Sequence, residues 1–74
     1  MHEHPIPSEL VAQIKAARKK ARLSQEDLAS LASISRRPIY LLERGRGAIR
    51  LDTFIKILDA LGLSLQIVAK GRQQ

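Results

Sequence analysis

The chain has no cysteine. No disulfide can brace it and no zinc–thiolate site can be built. It has no tryptophan, one tyrosine and one phenylalanine, so any core must be made mainly from aliphatic side chains. Acidic residues are scarce, 7 against 13 lysines and arginines. No apolar run approaches the roughly 20 residues that a membrane-spanning helix needs, so no membrane association is expected. The opening MHEHPIP lacks the basic-then-apolar order of a secretion signal, and a cytoplasmic location is expected. Both histidines, His2 and His4, lie in that proline-broken opening, where a flexible arm is a better reading than a metal site. With no cysteine, no positioned histidine and no glycine-rich phosphate loop, no catalytic constellation exists. The expectation is a non-enzyme without metal or cofactor.

What is present is positive charge and aliphatic periodicity. At 74 residues the chain is one small domain, able to bury only about 60% of its unfolded surface. The net charge of +6 points to a polyanionic partner rather than to a fold.

Four segments carry helical patterning. In the first, over residues 9–21, Leu10, Val11, Ile14, Ala17 and Ala21 form the apolar stripe. Lys15, Lys19, Lys20 and Arg22 decorate its outer side and C-terminal end, where cations favour the helix dipole. Arg18 falls on the edge of the stripe and needs a partner or must snorkel. The second, over 25–31, starts at Ser24, with Asp27 placed as in a capping box. The third, over 36–44, is expected to be capped by Ser35 and stopped by Gly45. Ile34 plugs the corner between these two helices. The fourth, over 52–61, carries Leu51, Phe54, Ile55, Ile57, Leu58 and Leu61, and Gly62 stops it. The second and third helices are too short to stand alone. Together they read as a helix-turn-helix, with the third offering its first turn to a DNA groove.

The tail changes character. Leu63, Leu65, Ile67 and Ala69 alternate with Ser64, Gln66 and Val68, a period of two that predicts a strand over 63–70. No second strand exists in the chain, so another copy is the simplest partner, with Leu63, Leu65, Ile67 and Val68 in the contact. The alternative is a short fifth helix capped by Ser64 and ended by Gly71. Residues 71–74 are expected to fray, and residues 1–7 to form the arm.

Five arginines lie from Arg36 to Arg50, with Glu43 the one acid among them. Arginine's planar fork suits guanine edges and phosphates. Arg36 and Arg37 are candidates for bases; Arg44, Arg46 and Arg50 are candidates for phosphates. Tyr40, four residues after Arg36, shares its face. The helix starts at Ser24 and Ser35 can add N–H groups toward phosphates.

From Ile14 to Leu63 the chain resembles the phage-repressor (Cro/C1-type, XRE) helix-turn-helix family. The residues that carry the likeness are Arg18, LSQEDLA at 23–29, SRRPIYLLERG at 35–45 and LDTFIKILDALGL at 51–63. The continuation through LGLSLQIV resembles HipB-type antitoxins, which dimerise partly through a strand and bind a HipA-type kinase toxin. The resemblance implies an all-α, lambda-repressor-like bundle of four helices with a strand paired across a dimer. It implies a buried ion pair of Arg18 with Glu43, a phosphate contact from Gln25, and groove-facing Arg36, Arg37 and Tyr40. Pro38 departs from the small polar residue usual there and disfavours helical geometry at Arg37. The function so implied is a sequence-specific repressor of an inverted-repeat operator that doubles as the antitoxin of its operon. The alternatives are a protein-interaction module whose main task is neutralising a kinase toxin, and a stand-alone phage-type repressor.

Overall fold

The computed structural model describes residues 6–71. Among them are four helices: α1 (Ser8–Lys20), α2 (Gln25–Ala32), α3 (Arg37–Glu43) and α4 (Leu51–Ala60). The all-α expectation holds, and every helix bound lies within a residue or so of the sequence reading. α2 packs on α4 and α3, while α1 packs on α3. The core they enclose is Ile14, Leu28, Ala29, Ile39, Leu42, Phe54, Ile57 and Leu58. Leu10, Ile34 and Leu61 pack partly buried against it.

Three parts of the apolar reading differ. Ala21 is exposed at the end of α1. Leu51 and Ile55 are 64% and 40% exposed, because the apolar arc of α4 is wider than the surface its neighbours cover. Ile6 packs against the core, and the Pro7 carbonyl accepts from the Leu10 and Val11 N–H groups at 2.9 and 3.1 Å. The chain is therefore anchored two residues before α1. His2 and His4 lie outside the described residues.

The helix ends share one device. Each helix closes with an N–H returning five residues to a carbonyl: Leu23 to Arg18, Ile34 to Ala29, Arg46 to Leu41, and Leu63 to Leu58, at 2.8–3.1 Å. The residue before each donor sits in the left-handed region: Arg22, Ser33, Gly45 and Gly62, at φ 61, 59, 68 and 73°. This is the Schellman stop. The sequence announced it at the two glycines but not at Arg22 or Ser33.

Helix starts divide. The Ser24 side chain accepts from the Asp27 N–H at 2.9 Å, and Asp27 Oδ2 accepts from the Ser24 N–H at 3.0 Å, completing the expected capping box. Ser35 does not cap α3; Arg36 stands at that position, and no side chain caps the helix. A cap at Ser35 serves the N–H two or three residues on, and the second of these is Pro38, which has none. Pro38 is nonetheless accepted in the first turn, with Arg37 helical before it.

Residues 63–71 form neither the strand nor the fifth helix. A strand exists through its ladder, and a single chain holds no second strand to supply one. Ile67 and Val68 stand 96% and 77% exposed. Leu63 and Leu65 border a shallow cleft with Leu10, Ile14 and Phe54.

Ile57 is fully buried beneath α2. Ile57→Ala should cost about 2–5 kcal/mol, read as a lower denaturation midpoint at unchanged slope.

Candidate nucleic-acid interface

The α1–α2 turn and α3 are tied together by one carboxylate. Arg18 Nε donates to Glu43 Oε2 at 2.6 Å and Arg18 Nη2 donates to Oε1 at 2.8 Å. The third guanidinium nitrogen, Nη1, donates to the Leu23 carbonyl at 2.7 Å. The two side chains are 11% and 3% exposed. No buried side-chain nitrogen or oxygen among the described residues lacks a partner. This forked geometry is the condition under which a buried ion pair holds.

The carboxylate has a second visitor. Gln25 Nε2 donates to Glu43 Oε1 at 3.1 Å, and Gln25 Oε1 accepts from Arg36 Nη1 at 3.4 Å. A relay thus runs from Arg18 through Glu43 and Gln25, all three half-buried, to exposed Arg36. It fixes the amide of Gln25 so that its remaining N–H is free for an outside acceptor.

Burial pushes the Glu43 carboxyl up, but the hydrogen bonds from Arg18 and Gln25, with the charges of Arg18 and Lys15, outweigh it. The net effect holds Glu43 below the usual carboxylate range, so it is ionised at neutral pH. Its hydrogen bond to Glu43 likewise raises Arg18, against the opposing effect of burial.

The exposed arginines fall into two groups. Arg36 and Arg44 both lie over the Tyr40 ring, their guanidinium carbons 5.6 and 5.4 Å from its centre. Residues 36, 40 and 44 follow the four-residue spacing of one helix face. Such stacking orients the guanidinium planes without consuming their N–H donors. Arg37, Arg46 and Arg50 instead line a groove of about 290 Å³ with Ser35, Pro38, Leu41 and Ile49. Arg37 is therefore separated from the stripe formed by Arg36 and Tyr40.

Two details were missed in the sequence. Asp52, just beyond the arginine run, accepts from Arg50 Nε at 3.2 Å. The pair is exposed, 82% and 63%, and such pairs are weak enough to exchange for a phosphate. The Ser24 N–H is spent on Asp27, so the α2 terminus offers fewer free N–H groups than expected. Spacing shows both acids; only geometry shows which groups they occupy.

A helix-turn-helix with its second helix braced from behind and arginine-rich in front matches a known family. The "Helix-turn-helix" family model covers residues 14–68. The chain belongs to that helix-turn-helix family. It is 31% identical, over 92% of its length and 90% of the relative's, to an uncharacterised HTH-type transcriptional regulator, y4mF, of Sinorhizobium fredii. Among solved structures, a chain of a HipA–HipB–O2–O3 complex superposes with a TM-score of 0.76 at 28% identity, covering 93% of this chain and 97% of that one. A chain of a toxin–antitoxin module from Streptococcus pneumoniae gives 0.69 at 29% identity, covering 84% and 72%. The phage-repressor type and the likeness to HipB antitoxins expected from the residues both stand. No helix among the described residues is long and apolar enough to cross a membrane.

Arg18→Ala should destabilise the domain by about 3–5 kcal/mol, because it strands Glu43 as a buried charge. In wild type the Glu43 contribution is fully present above the ordinary glutamate value of about 4.3. It disappears as the pH falls through the lower folded value. Melting wild type and Arg18→Ala across that range should show the gap between them narrowing in acid; a gap independent of pH contradicts the pairing.

Proposed function

We propose that the chain is a homodimeric, sequence-specific transcriptional repressor of an inverted-repeat operator and the antitoxin of a HipBA-like toxin–antitoxin pair that regulates its own operon. The observation that carries the reading is the relay from Arg18 through Glu43 and Gln25 to Arg36. It ties the last residue of α3 to the α1–α2 corner, reaches Arg36 just before the helix, and leaves cationic donors in front.

In this reading Arg36, Arg37 and Tyr40 meet base edges. Ser24, Gln25, Ser35, Arg44, Arg46 and Arg50 meet phosphates. Arg36 alone is oriented by both a ring and a side-chain acceptor, which suits a guanine contact. Arg46 follows the left-handed stop of α3 beside Gly47, where nothing crowds an approaching backbone, which suits a phosphate. Two recognition helices about 34 Å apart would enter successive major grooves.

The dimer reading rests on the exposed apolar surface of Leu51, Ile55, Leu63, Leu65, Ile67 and Val68. Six exposed large apolar side chains on so small a chain support burial against a second copy. Two tails paired antiparallel about a two-fold axis would satisfy the edge hydrogen bonds of both copies. A HipA-type kinase toxin as partner is supported by the presence of HipA in the similar complex. That same likeness favours a second reading, in which neutralising the toxin is the main task. A variant unable to bind DNA that still neutralises a kinase encoded beside it would select the second reading.

Arg36→Ala should cost about 1–3 kcal/mol on the DNA upstream of the chain's own gene and relax specificity. Arg46→Ala should weaken specific and random duplexes alike and lower the salt slope by about one. Binding measured across a salt series separates the two; equal losses with equal slopes contradict the assignment.

Ile67→Pro removes a ladder donor. Sedimentation should then show more monomer, and operator binding should become strongly concentration-dependent. A variant that remains fully dimeric contradicts the paired tail.

A further inference from the structure

We infer that Arg22, at the corner between α1 and α2, is a phosphate-gripping residue held at a backbone position that favours glycine. The inference rests on the DNA-binding reading above and extends its footprint to Arg22, a residue to which that reading assigns nothing.

The argument starts from the four matching helix stops. α3 and α4 fill the left-handed position with Gly45 and Gly62, the residue that adopts it without steric cost. α2 fills it with Ser33, a short polar side chain. α1 fills it with Arg22 at φ 61°, a long side chain whose Cβ crowds the following carbonyl. Strain of this kind persists at positions where the side chain has work to do.

The bland account is that Arg22 complements the α1 dipole. Arg18, Lys19 and Lys20 already stand in the last turn, so a fourth cation adds little at a position that glycine would close more cheaply. Packing does not explain it either. Arg22 is exposed, and no side-chain hydrogen bond or ion pair engages it among the described residues.

Its place does explain it. The next residue, Leu23, gives its carbonyl to Arg18 Nη1 at 2.7 Å. Three residues on, Gln25 is held by Glu43 and reached by Arg36. The backbone of the corner is thereby pinned to the carboxylate that holds the end of α3, and Arg22 carries its exposed, unpartnered guanidinium from that fixed backbone position. The capping acid Asp27 occupies the Ser24 N–H, so the helix start offers fewer donors here and a side-chain cation adds to them. Arg46, immediately after the stop of α3, is the matching departure. The residues at that position after α1, α2 and α4 are Leu23, Ile34 and Leu63.

The test compares wild type with Arg22→Gly, Arg22→Ala, Arg22→Lys and Arg46→Ala. Each is titrated onto a short random-sequence duplex over a salt series and melted without DNA. Arg22→Gly and Arg22→Ala should each weaken binding roughly tenfold at low salt and lower the salt slope by about one. Arg22→Lys should retain most of both. Arg22→Gly alone should melt higher than wild type, by about 2–6 °C. A gain in melting temperature together with a loss of binding is a signature that a merely structural residue does not give. An Arg22→Gly variant with wild-type affinity and slope, while Arg46→Ala is weakened, overturns this inference and leaves the DNA reading intact. An Arg22→Gly variant that melts no higher than wild type overturns the strained placement. A wild-type chain with no salt-dependent affinity for duplex overturns both the inference and the reading beneath it.

Discussion

The buried bidentate contact between Arg18 and Glu43 is the constraint on which the rest of the structure depends. α3 is seven residues long, too short to persist in water, and no side chain caps its start. What holds it is the Ile39 and Leu42 side chains on one face and the Glu43 carboxylate at its end. Arg18 spends all three guanidinium nitrogens on that junction. The same contact sets the α1–α2 corner, because the carbonyl of Leu23 is one of its acceptors. Stability and the placement of the exposed cations are therefore governed by one carboxylate.

This arrangement lets a small core carry a strongly cationic face. Like charges at residues 36, 37, 44, 46 and 50 repel one another and lower the stability of a compact chain. The structure limits that cost by stacking two of them on Tyr40 and pairing a third with Asp52. Neither device buries a guanidinium, so each keeps its face to solvent. The Arg50–Asp52 pair is exposed on both sides, and pairs of that kind are weak.

Much of this was legible in the residues. The capping box follows from Ser24 and Asp27 at their spacing, and the left-handed stops from Gly45 and Gly62. The resemblance to the repressor family implies the Arg18–Glu43 pair; periodicity alone marks Arg18 only as an arginine in need of a partner. The failures are local and have physical causes. Ser35 looked like a cap because cap propensity ignores whether the served residue has an N–H, and Pro38 does not. Arg22 and Ser33 gave no sign of their left-handed geometry, because the Schellman closure is set by the chain's return path rather than by residue type. Leu51 and Ile55 looked like core because a stripe does not say how wide its cover is. The tail's period of two describes a surface that needs a partner, which is a property of two chains.

The central claim is that Arg18 and Glu43 form a fixed hub while Gln25 and Arg36 are the parts that meet DNA. Side-chain NMR tests it most directly, following the Arg18 and Arg36 Nε–H groups and the Gln25 amide as a duplex is added. The account predicts a slowly exchanging Arg18 Nε–H that hardly moves, with Gln25 and Arg36 shifting markedly. An Arg18 signal that exchanges freely before DNA is added, or that moves more than that of Arg36 upon addition, would contradict it.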